Sequence, residues 1–280
     1  MSIIIISNNG DFSTGDLALW LEYYKADYYR INGSIQTDQT IALEIGENKP
    51  DLNYYGIDNV NIVWHRRDDI HYLNGATNEV LKLPEDTYKQ MLNLNKIELK
   101  HFKNSILSNF KNAEIVPNIE LNPNKLELLN LASECDIQIP KTLVTNSKEE
   151  LISFKQKNKQ IITKSIYNLL QLKIENQYFI NYTVKVTDND ISNLPDFFFP
   201  SLFQEVVDKK VELRIFYLDG EFYSMAMFSQ KNENTSLDFR HYDDDNPTRC
   251  VPNKLPNEIE KKLEDFMKKS NLKTGSIDMI

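Results

Sequence analysis

The chain has 280 residues, of which 41% are hydrophobic and 26% charged, and its formal net charge at pH 7 is −9. This length suits two or three domains with separate cores, and the composition is typical of a folded protein. The acidic balance argues against a nucleic-acid or anionic-membrane partner. Because Cys135 and Cys250 are far apart and no CxxC spacing occurs, neither a disulfide framework nor a cysteine zinc site is expected.

Residues 1–117 are predicted to form an α/β domain. Ile3–Ile6 and Asn59–Trp64 are typical of short buried strands. Apolar residues recur at helical spacing over Asp16–Tyr28, and Glu85–Ser108 has the pattern of a long helix. The opening isoleucine run is far shorter than the ~20 apolar residues of a membrane span, and no basic segment precedes it. We therefore expect a cytoplasmic protein.

The rest of the chain is predicted to be richer in strands. Pro117 and Pro123 bracket a short polar connection that marks the domain boundary. Beyond it we predict three helices, at Lys125–Cys135, from the Ser147 cap to about Lys157, and at Leu255–Lys269. We predict strands at Thr142–Thr145, Gln160–Lys164, Leu202–Val207, Glu212–Leu218 and Glu221–Phe228, and a further strand that begins at Gly275. Residues 172–186 are predicted to form a hairpin. Asp219-Gly220 is the expected turn between two of these strands. Strands and helices in this mixture indicate an α/β fold class.

Common catalytic signatures are absent from the sequence. It contains no GxxxxGK[ST], GxGxxG, HExxH or GxSxG motif. The four histidines are scattered, and Asp243–Asp245 is better explained as a solvated loop than as a cation site. What remains is a series of polar residues in a fixed order: Lys125, Lys164, Gln204-Glu205, Asp208, Glu212, Arg214, Asp238, Arg240 and Asp278.

This ordered series resembles the ATP-grasp ligases. The segment Trp64-His-Arg-Arg67 resembles the W-x-R-R element of the graspetide (microviridin-type) peptide ligases, and the group that the sequence resembles most is the grasp-with-spasm ATP-grasp peptide maturases. The same resemblance extends to Ile3–Thr14, Asp27–Asn32, Leu202–Val207, Glu212–Ile215 and Asp238–Arg240, and so to the whole chain. It implies an ATP-grasp fold with an N-terminal pre-ATP-grasp domain at 1–117, a central subdomain at 118–203 and a C-terminal subdomain at 204–280.

The resemblance also implies the cofactors, ATP and Mg²⁺, and a nucleotide site. Lys125 and Lys164 would hold the α- and β-phosphates as point charges. The segment made of Gln204, Glu205, Val206 and Val207 would present backbone groups to the adenine, with Glu205 and Asp208 near the base and the ribose.

Catalytic and metal-binding roles follow from the same resemblance. Arg214 would face the γ-phosphate and the carboxylate being activated, since its planar fork suits both. Arg240 would assist, and Asp278 would be a hard oxygen ligand of Mg²⁺. A simpler alternative for Arg214 is that Glu212, on the same face of the strand, neutralises it.

The implied function is a ligase that joins Asp or Glu side chains of a precursor peptide to Ser or Thr hydroxyls or Lys amines. The family also implies a homodimer and a precursor with a leader and a core. The hairpin at 172–186 and the segment Asp190–Phe199 would dock the leader, although core packing explains Phe197–Phe199 equally well. Two alternatives are a ligase that adds a free amino acid to a protein or small molecule, and a non-catalytic peptide-binding module.

Two features depart from the family pattern. No glycine occurs directly after Lys164, where ATP-grasp enzymes have a flexible loop over the phosphates. The family also places a Glu and an Asn, as further Mg²⁺ ligands, after the strand that holds Asp278, whereas this sequence stops at Ile280. The resemblance therefore predicts a longer natural chain.

Overall fold

A computed structural model describes residues 2–32, 60–66, 84–108, 110, 112–117, 124–167, 171–174, 177–180, 182–231 and 247–280. The chain divides into two compact units, Met1–Glu120 and Leu121–Ile280. The helices are α1 (Phe12–Tyr23), α2 (Glu85–Ser108), α3 (Lys125–Glu134), α4 (Lys148–Lys157), α5 (Asp188–Asn193) and α6 (Asn257–Lys269). The strands are β1 (Ser2–Ser7), β2 (Asp27–Asn32), β3 (Val60–His65), β4 (Glu114–Val116), β5 (Thr142–Ser147), β6 (Ile161–Lys164), β7 (Gln171–Ile174), β8 (Gln177–Ile180), β9 (Val184–Lys185), β10 (Phe197–Glu205), β11 (Glu212–Leu218), β12 (Glu221–Met227), β13 (Cys250–Asn253) and β14 (Thr274–Met279).

The N-terminal unit contains a parallel sheet with the strand order β2-β1-β3-β4. Alternate residues of β1 point to opposite faces, and on one face Ile4 and Ile6 form a core with Val60 and Val63. Phe110 and other apolar residues that follow α2 pack against this core. The N-terminal unit is therefore an α/β fold in which apolar residues of β1 and β3 form the core of the sheet.

The helix expected at Asp16–Tyr28 is displaced in the structure. It runs instead over Phe12–Tyr23, and Asp27–Asn32 form a strand. The helix ends because Lys25 adopts a left-handed conformation with φ 55°, and the Ala26 N–H bonds the Leu21 carbonyl at 2.9 Å. This C-terminal capping geometry usually uses glycine, so a lysine there gave no sequence signal.

A buried carboxylate joins β1 to α1 in this unit. Asp11 accepts hydrogen bonds from the hydroxyls of Ser7, Ser13 and Thr14, and Arg66 lies 3.5 Å away. Burial alone would raise the pKa of Asp11, but these three hydroxyls and the Arg66 charge together hold that pKa below its ordinary value. Asp11 is thus ionised, and it ties the loop after β1 to the residue that follows β3.

The C-terminal unit contains two four-stranded antiparallel sheets and a hairpin. The sheets have the orders β5-β10-β6-β9 and β13-β12-β11-β14, and β7 pairs with β8. Leu151 of α4 packs with Ile161 and Phe203 under the first sheet. Leu263 of α6 packs with Ile215 under the second. Ser147 caps α4 as predicted, accepting the Glu150 N–H at 3.4 Å.

The strand predicted at Leu202–Val207 begins and ends earlier in the structure, at Phe197 and Glu205. Its pairing with β5 is irregular between Phe197 and Ser201. Pro200 lies in this irregular part, where the missing N–H of a proline is tolerated. The proline hid the first half of the strand from sequence analysis.

Within the described residues, no helix is long and apolar enough to cross a membrane. Cys135 is buried and Cys250 exposed, and both are free thiols. The division of the second unit at residue 203 remains a prediction.

Candidate active site

The C-terminal unit contains a cavity of about 340 Å³. This volume falls within the range of small-molecule sites. Residues of both four-stranded sheets line it: Pro140, Gln160, Ile162, Lys164, Thr183, Lys185, Gln204, Glu205, Val206, Val207, Asp208, Lys209, Glu212, Gln230, Asp278 and Ile280. The lining combines apolar side chains with cations and carboxylates, which suits a ligand that has both a flat apolar part and charged groups.

Most of the site residues predicted from sequence meet in this cavity. Those that line it are Lys164, Gln204, Glu205, Val206, Val207, Asp208 and Asp278. Lys125 and Arg214 are not among the lining residues, and Arg240 lies outside the described residues. The Lys125 ammonium donates to the Ser165 carbonyl at 2.8 Å, so it lies beside the backbone that follows Lys164.

Hydrogen bonds fix the end of β10 where it lines the cavity. Gln204 is 2% exposed, and its side-chain amide donates to the Thr142 hydroxyl at 2.8 Å. The Glu205 N–H bonds the Lys141 carbonyl, and the Val206 N–H bonds the Gln160 carbonyl at 2.9 Å. The N–H of the next residue, Val207, has no hydrogen-bond partner among the described residues. Val207 is thus the first backbone donor after the strand that is available to a ligand.

The Glu205 carboxylate is bound by Lys141. It accepts the Lys141 N–H at 2.9 Å and lies 3.3 Å from the Lys141 ammonium. The backbone hydrogen bond is the main cause that lowers the pKa of Glu205; burial opposes it, and the side-chain contact with Lys141 adds to it. Because its pKa is lowered, Glu205 stays ionised at a more acidic pH than an ordinary glutamate.

We expect Glu205→Gln to lower the free energy of unfolding at neutral pH. A lowered folded-state pKa stabilises the protein above the unfolded-state value, near 4.5, and this contribution is lost as the pH falls through the folded-state value. The difference in the free energy of unfolding between wild type and variant should thus be largest at pH 7 and should disappear in acid. Urea unfolding over a pH series measures it. Glu258→Gln, whose side chain is 82% exposed, is the control, and a gap that does not change with pH would contradict the assignment.

A second charged pair lies inside the cavity. Lys209 contacts Glu212, and their side chains are only 9% and 10% exposed. The second oxygen of Glu212, Oε2, is buried and has no hydrogen-bond partner among the residues that the structure describes. Glu212 lines the cavity, and a carboxylate there is a strong acceptor for the hydroxyls of a ligand. Sequence analysis did not assign a nucleotide-binding role to either residue.

Arg214 is paired across the sheet with Asp278. The two residues lie opposite each other on β11 and β14, and Nη1 of Arg214 is 3.1 Å from Oδ1 of Asp278. The alternative in which Glu212 neutralises Arg214 is therefore wrong, since Glu212 contacts Lys209 instead. The arrangement places the predicted catalytic cation and the predicted metal ligand in direct contact at the rim of the cavity.

Asp278 fits one mode of Mg²⁺ binding. Among the described residues, no three His, Cys, Asp or Glu side chains are grouped closely enough to hold a metal ion. Mg²⁺ often uses only one or two carboxylates and completes its shell with water and substrate phosphates. Asp278 is therefore suited to hold Mg²⁺ jointly with a nucleotide.

Several cavity residues gave no signal in the sequence. Lys185 lies on the short strand β9, opposite Ile162 of β6. Thr183 and Gln230 also line the cavity. Thr183 lies in the loop before β9 and Gln230 in a short 3₁₀ helix, Ser229–Lys231, and neither sequence pattern indicates a site. Only the pairing of β6 with β9 brings Lys185 to the cavity.

Comparison with solved structures identifies the fold. The chain is similar to a RiPP-associated ATP-grasp ligase from Chryseobacterium gregarium, solved with ADP and a leader and core peptide, with a TM-score of 0.79, 22% identity and coverage of 100% of this chain and 84% of that one. It is also similar to the macrocyclase MdnC from Microcystis aeruginosa MRC, bound with the precursor peptide MdnA, with a TM-score of 0.76, 22% identity and coverage of 100% and 87%. No protein-family model and no curated protein matches the chain.

A more distant similarity joins the chain to D-alanine–D-alanine ligase from Bacillus anthracis. The TM-score is 0.51 and the identity 13%, with coverage of 100% of this chain and 82% of that one. All three similarities extend over the whole of this chain. The protein therefore has the ATP-grasp fold, and the fold class predicted from the sequence is confirmed.

Proposed function

We propose that this protein is an ATP-dependent ligase that cross-links side chains of a precursor peptide. In this reaction a side-chain carboxylate attacks the γ-phosphorus of ATP, which gives an acyl phosphate and ADP. A Ser or Thr hydroxyl or a Lys amine then attacks the acyl carbon, loses its proton, and displaces phosphate. The product is an ω-ester or ω-amide ring.

The observation that supports this proposal most strongly is the composition of the cavity. Residues that sequence resemblance assigned to ATP, although distant in the chain, meet in one cavity of the right size. Their chemistry also suits a nucleotide, because apolar groups such as Ile162 and Val207 accompany lysines and carboxylates. The similar structures from Chryseobacterium and Microcystis were solved with precursor or leader and core peptides, which favours a peptide over a free amino acid.

Each charged residue has a distinct role in this proposal. Lys125 and Lys164 bind the phosphates. Arg214 holds the γ-phosphate next to the carboxylate and stabilises the charge that develops on the transferred group. Glu212 accepts hydrogen bonds from the ribose hydroxyls. Mg²⁺, held by Asp278, would neutralise the phosphate oxygens, and Arg240 is proposed to assist.

The aromatic run Phe197–Phe199 divides between packing and docking. Phe198 packs against Phe203, with ring centroids 6.1 Å apart, whereas Phe197 and Phe199 are 74% and 85% exposed. Core packing thus explains Phe198, and we propose that Phe197 and Phe199 contact the leader peptide. The paired strands β7 and β8 are the proposed second part of the leader-binding surface.

The decisive experiment is incubation with ATP, Mg²⁺ and the cognate precursor peptide, followed by mass spectrometry. A peptide cross-linker removes one water for each ring and releases one ADP. A ligase for free amino acids would instead increase the mass of its acceptor. ATP binding with neither product would indicate a non-catalytic peptide-binding module.

Lys125→Ala and Lys164→Ala are each expected to weaken ATP binding about ten- to a hundredfold, because a charged hydrogen bond contributes ~1.5–3 kcal/mol. Isothermal calorimetry measures the affinity. Lys268→Ala is the matched control, since Lys268 pairs with Glu264 on the exposed side of α6. Unchanged affinity in both test variants would refute the phosphate assignment.

A further inference from the structure

The sheet β13-β12-β11-β14 exposes large apolar side chains on the face that holds Arg214. On that face Phe216 is 45% exposed, Leu218 43%, Tyr223 59% and Met225 40%. We call these four residues the apolar patch. The opposite face of the sheet packs against α6, so the patch is not part of the core. The solvated face of an antiparallel sheet is usually polar, and a contiguous exposed apolar group usually marks an interaction site.

The strand register places the patch directly beside Arg214. Met225 lies opposite Arg214 on β12, just as Asp278 lies opposite it on β14. Phe216 follows two residues later on the same face, which is ~7 Å further along β11. It pairs with Tyr223, and the two ring centroids are 6.4 Å apart. The patch thus borders the arginine on two sides, across to β12 and onward along β11.

The geometry of phosphoryl transfer indicates what the patch faces. Along one face of β11, Glu212 lines the cavity, Arg214 lies at its rim, and Phe216 lies beyond the rim. The attacking and leaving oxygens of a phosphoryl transfer are roughly in line, so a carboxylate attacks the γ-phosphorus from the side opposite to ADP. With the nucleotide in the cavity and its γ-phosphate at Arg214, that side is the apolar patch.

We propose that the apolar patch binds the precursor peptide next to its reacting carboxylate and selects an apolar side chain two positions away from that carboxylate. This inference rests on the proposed function. In an extended peptide, side chains two positions apart point the same way and lie ~7 Å apart, which matches the spacing of Arg214 and Phe216. A peptide that lies along β11 with its carboxylate at Arg214 therefore sets the side chain two positions away over the rings of Phe216 and Tyr223. The side chains adjacent to the carboxylate point away from the patch.

The composition of the patch favours an aliphatic side chain as its occupant. Met225 is unbranched and adapts its shape to what it contacts. The rings of Phe216 and Tyr223 offer flat apolar area beside it. We therefore expect leucine or a similar residue at the selected position of the peptide.

Two versions of the cognate precursor with the same composition test this inference. One has Leu-Gln-Glu-Gln-Leu around a reacting glutamate, and the other has Gln-Leu-Glu-Leu-Gln. The wild type should have a KM ~10-fold lower for the first, at the low end of what a hydrophobic contact discriminates. The kcat values should be similar, since the contact is the same in the ground state and the transition state. Mass spectrometry of the dehydrated product gives both constants.

Variants of the patch should remove this preference. Phe216→Thr combined with Tyr223→Thr should have equal KM values for the two precursors. Threonine suits exposed strand positions, so circular dichroism and the melting temperature should show a folded protein with unchanged ATP affinity. Met225→Gln keeps a similar volume and should weaken the preference by itself. The matched control is Ile152→Thr, at a side chain that is 39% exposed on α4, since α4 packs on the face of its sheet opposite to the cavity.

The outcomes separate this inference from the proposed function. Equal KM values of the wild type for the two precursors, with both cross-linked, would overturn the inference and leave the proposed function intact. A preference that persists in the double variant would also overturn it. If the wild type cross-links neither these precursors nor the unaltered one, the proposed function itself is wrong. A lower mass of the double variant in sedimentation velocity would mean that a second copy of the chain covers the patch, which contradicts the inference.

Discussion

Replacing Arg214 with alanine should lower the rate of cross-linking by ~10²–10³, the usual cost of removing one preorganised transition-state donor. The same change should scarcely affect stability. Arg214 and Asp278 are 45% and 59% exposed, and an ion pair of that exposure contributes only ~0–1 kcal/mol. ATP binding measured by calorimetry should persist, whereas the dehydrated peptide should almost disappear from the mass spectrum.

Two further variants make the Arg214 prediction specific. Arg214→Lys keeps the charge but loses the planar fork, so it should recover little of the rate. Lys268→Ala breaks another exposed ion pair of the same unit and should leave both rate and melting temperature unchanged. Near-normal dehydration by Arg214→Ala would mean that the arginine is structural, and the proposed mechanism would fail.

Replacing Lys209 with alanine should lower the free energy of unfolding by ~3–5 kcal/mol, the cost of leaving a buried charge without its partner. Lys209 and Glu212 are each about nine-tenths buried, and within the described part of the chain Oε2 of Glu212 has no hydrogen-bond partner. The loss of Lys209 would leave the whole carboxylate without a cation. Urea unfolding measures the effect.

The double variant Lys209→Met with Glu212→Gln is the control for this second prediction. It removes both charges and keeps similar volumes, so it should recover most of the stability of the wild type. It should nevertheless bind ATP more weakly, because a neutral amide is a poorer acceptor for ribose hydroxyls. If Lys209→Ala were as stable as the wild type, the pair would be solvated and its proposed role in the cavity would be wrong.

Sequence patterns predicted the bounds of an element well where the pattern fitted only one type of secondary structure. The bounds of α2 and β11 agree with the prediction at both ends, because a long 3.6-residue period and a clean alternation are hard to confuse. The end of α1 was missed because Lys25, rather than a glycine, takes the left-handed conformation. The start of β10 was missed because Pro200 normally argues against a strand.

Most of the site residues predicted from the sequence line the cavity, but the sequence did not predict which residue pairs with Arg214. The resemblance to the ATP-grasp ligases assigned Lys164, Gln204 and Asp278 to one site, and all three line the cavity. The partner of Arg214 depends on the register of β11 against β14, which joins residues 64 positions apart. No local pattern encodes that register, and the local candidate, Glu212, was therefore wrong.

The hydrogen bonds at the end of β10 have a consequence for the entropy of ligand binding. Gln204 is locked to Thr142, and the next two N–H groups are already bonded. Ordering one residue costs ~1–2 kcal/mol of conformational entropy. Because the end of β10 is already ordered in the folded protein, this cost does not have to be added when a base binds. A purine that docks against Val207 would find a rigid edge, so substitutions such as Thr142→Val should weaken binding through increased motion of the edge, without removing any atom that touches the ligand.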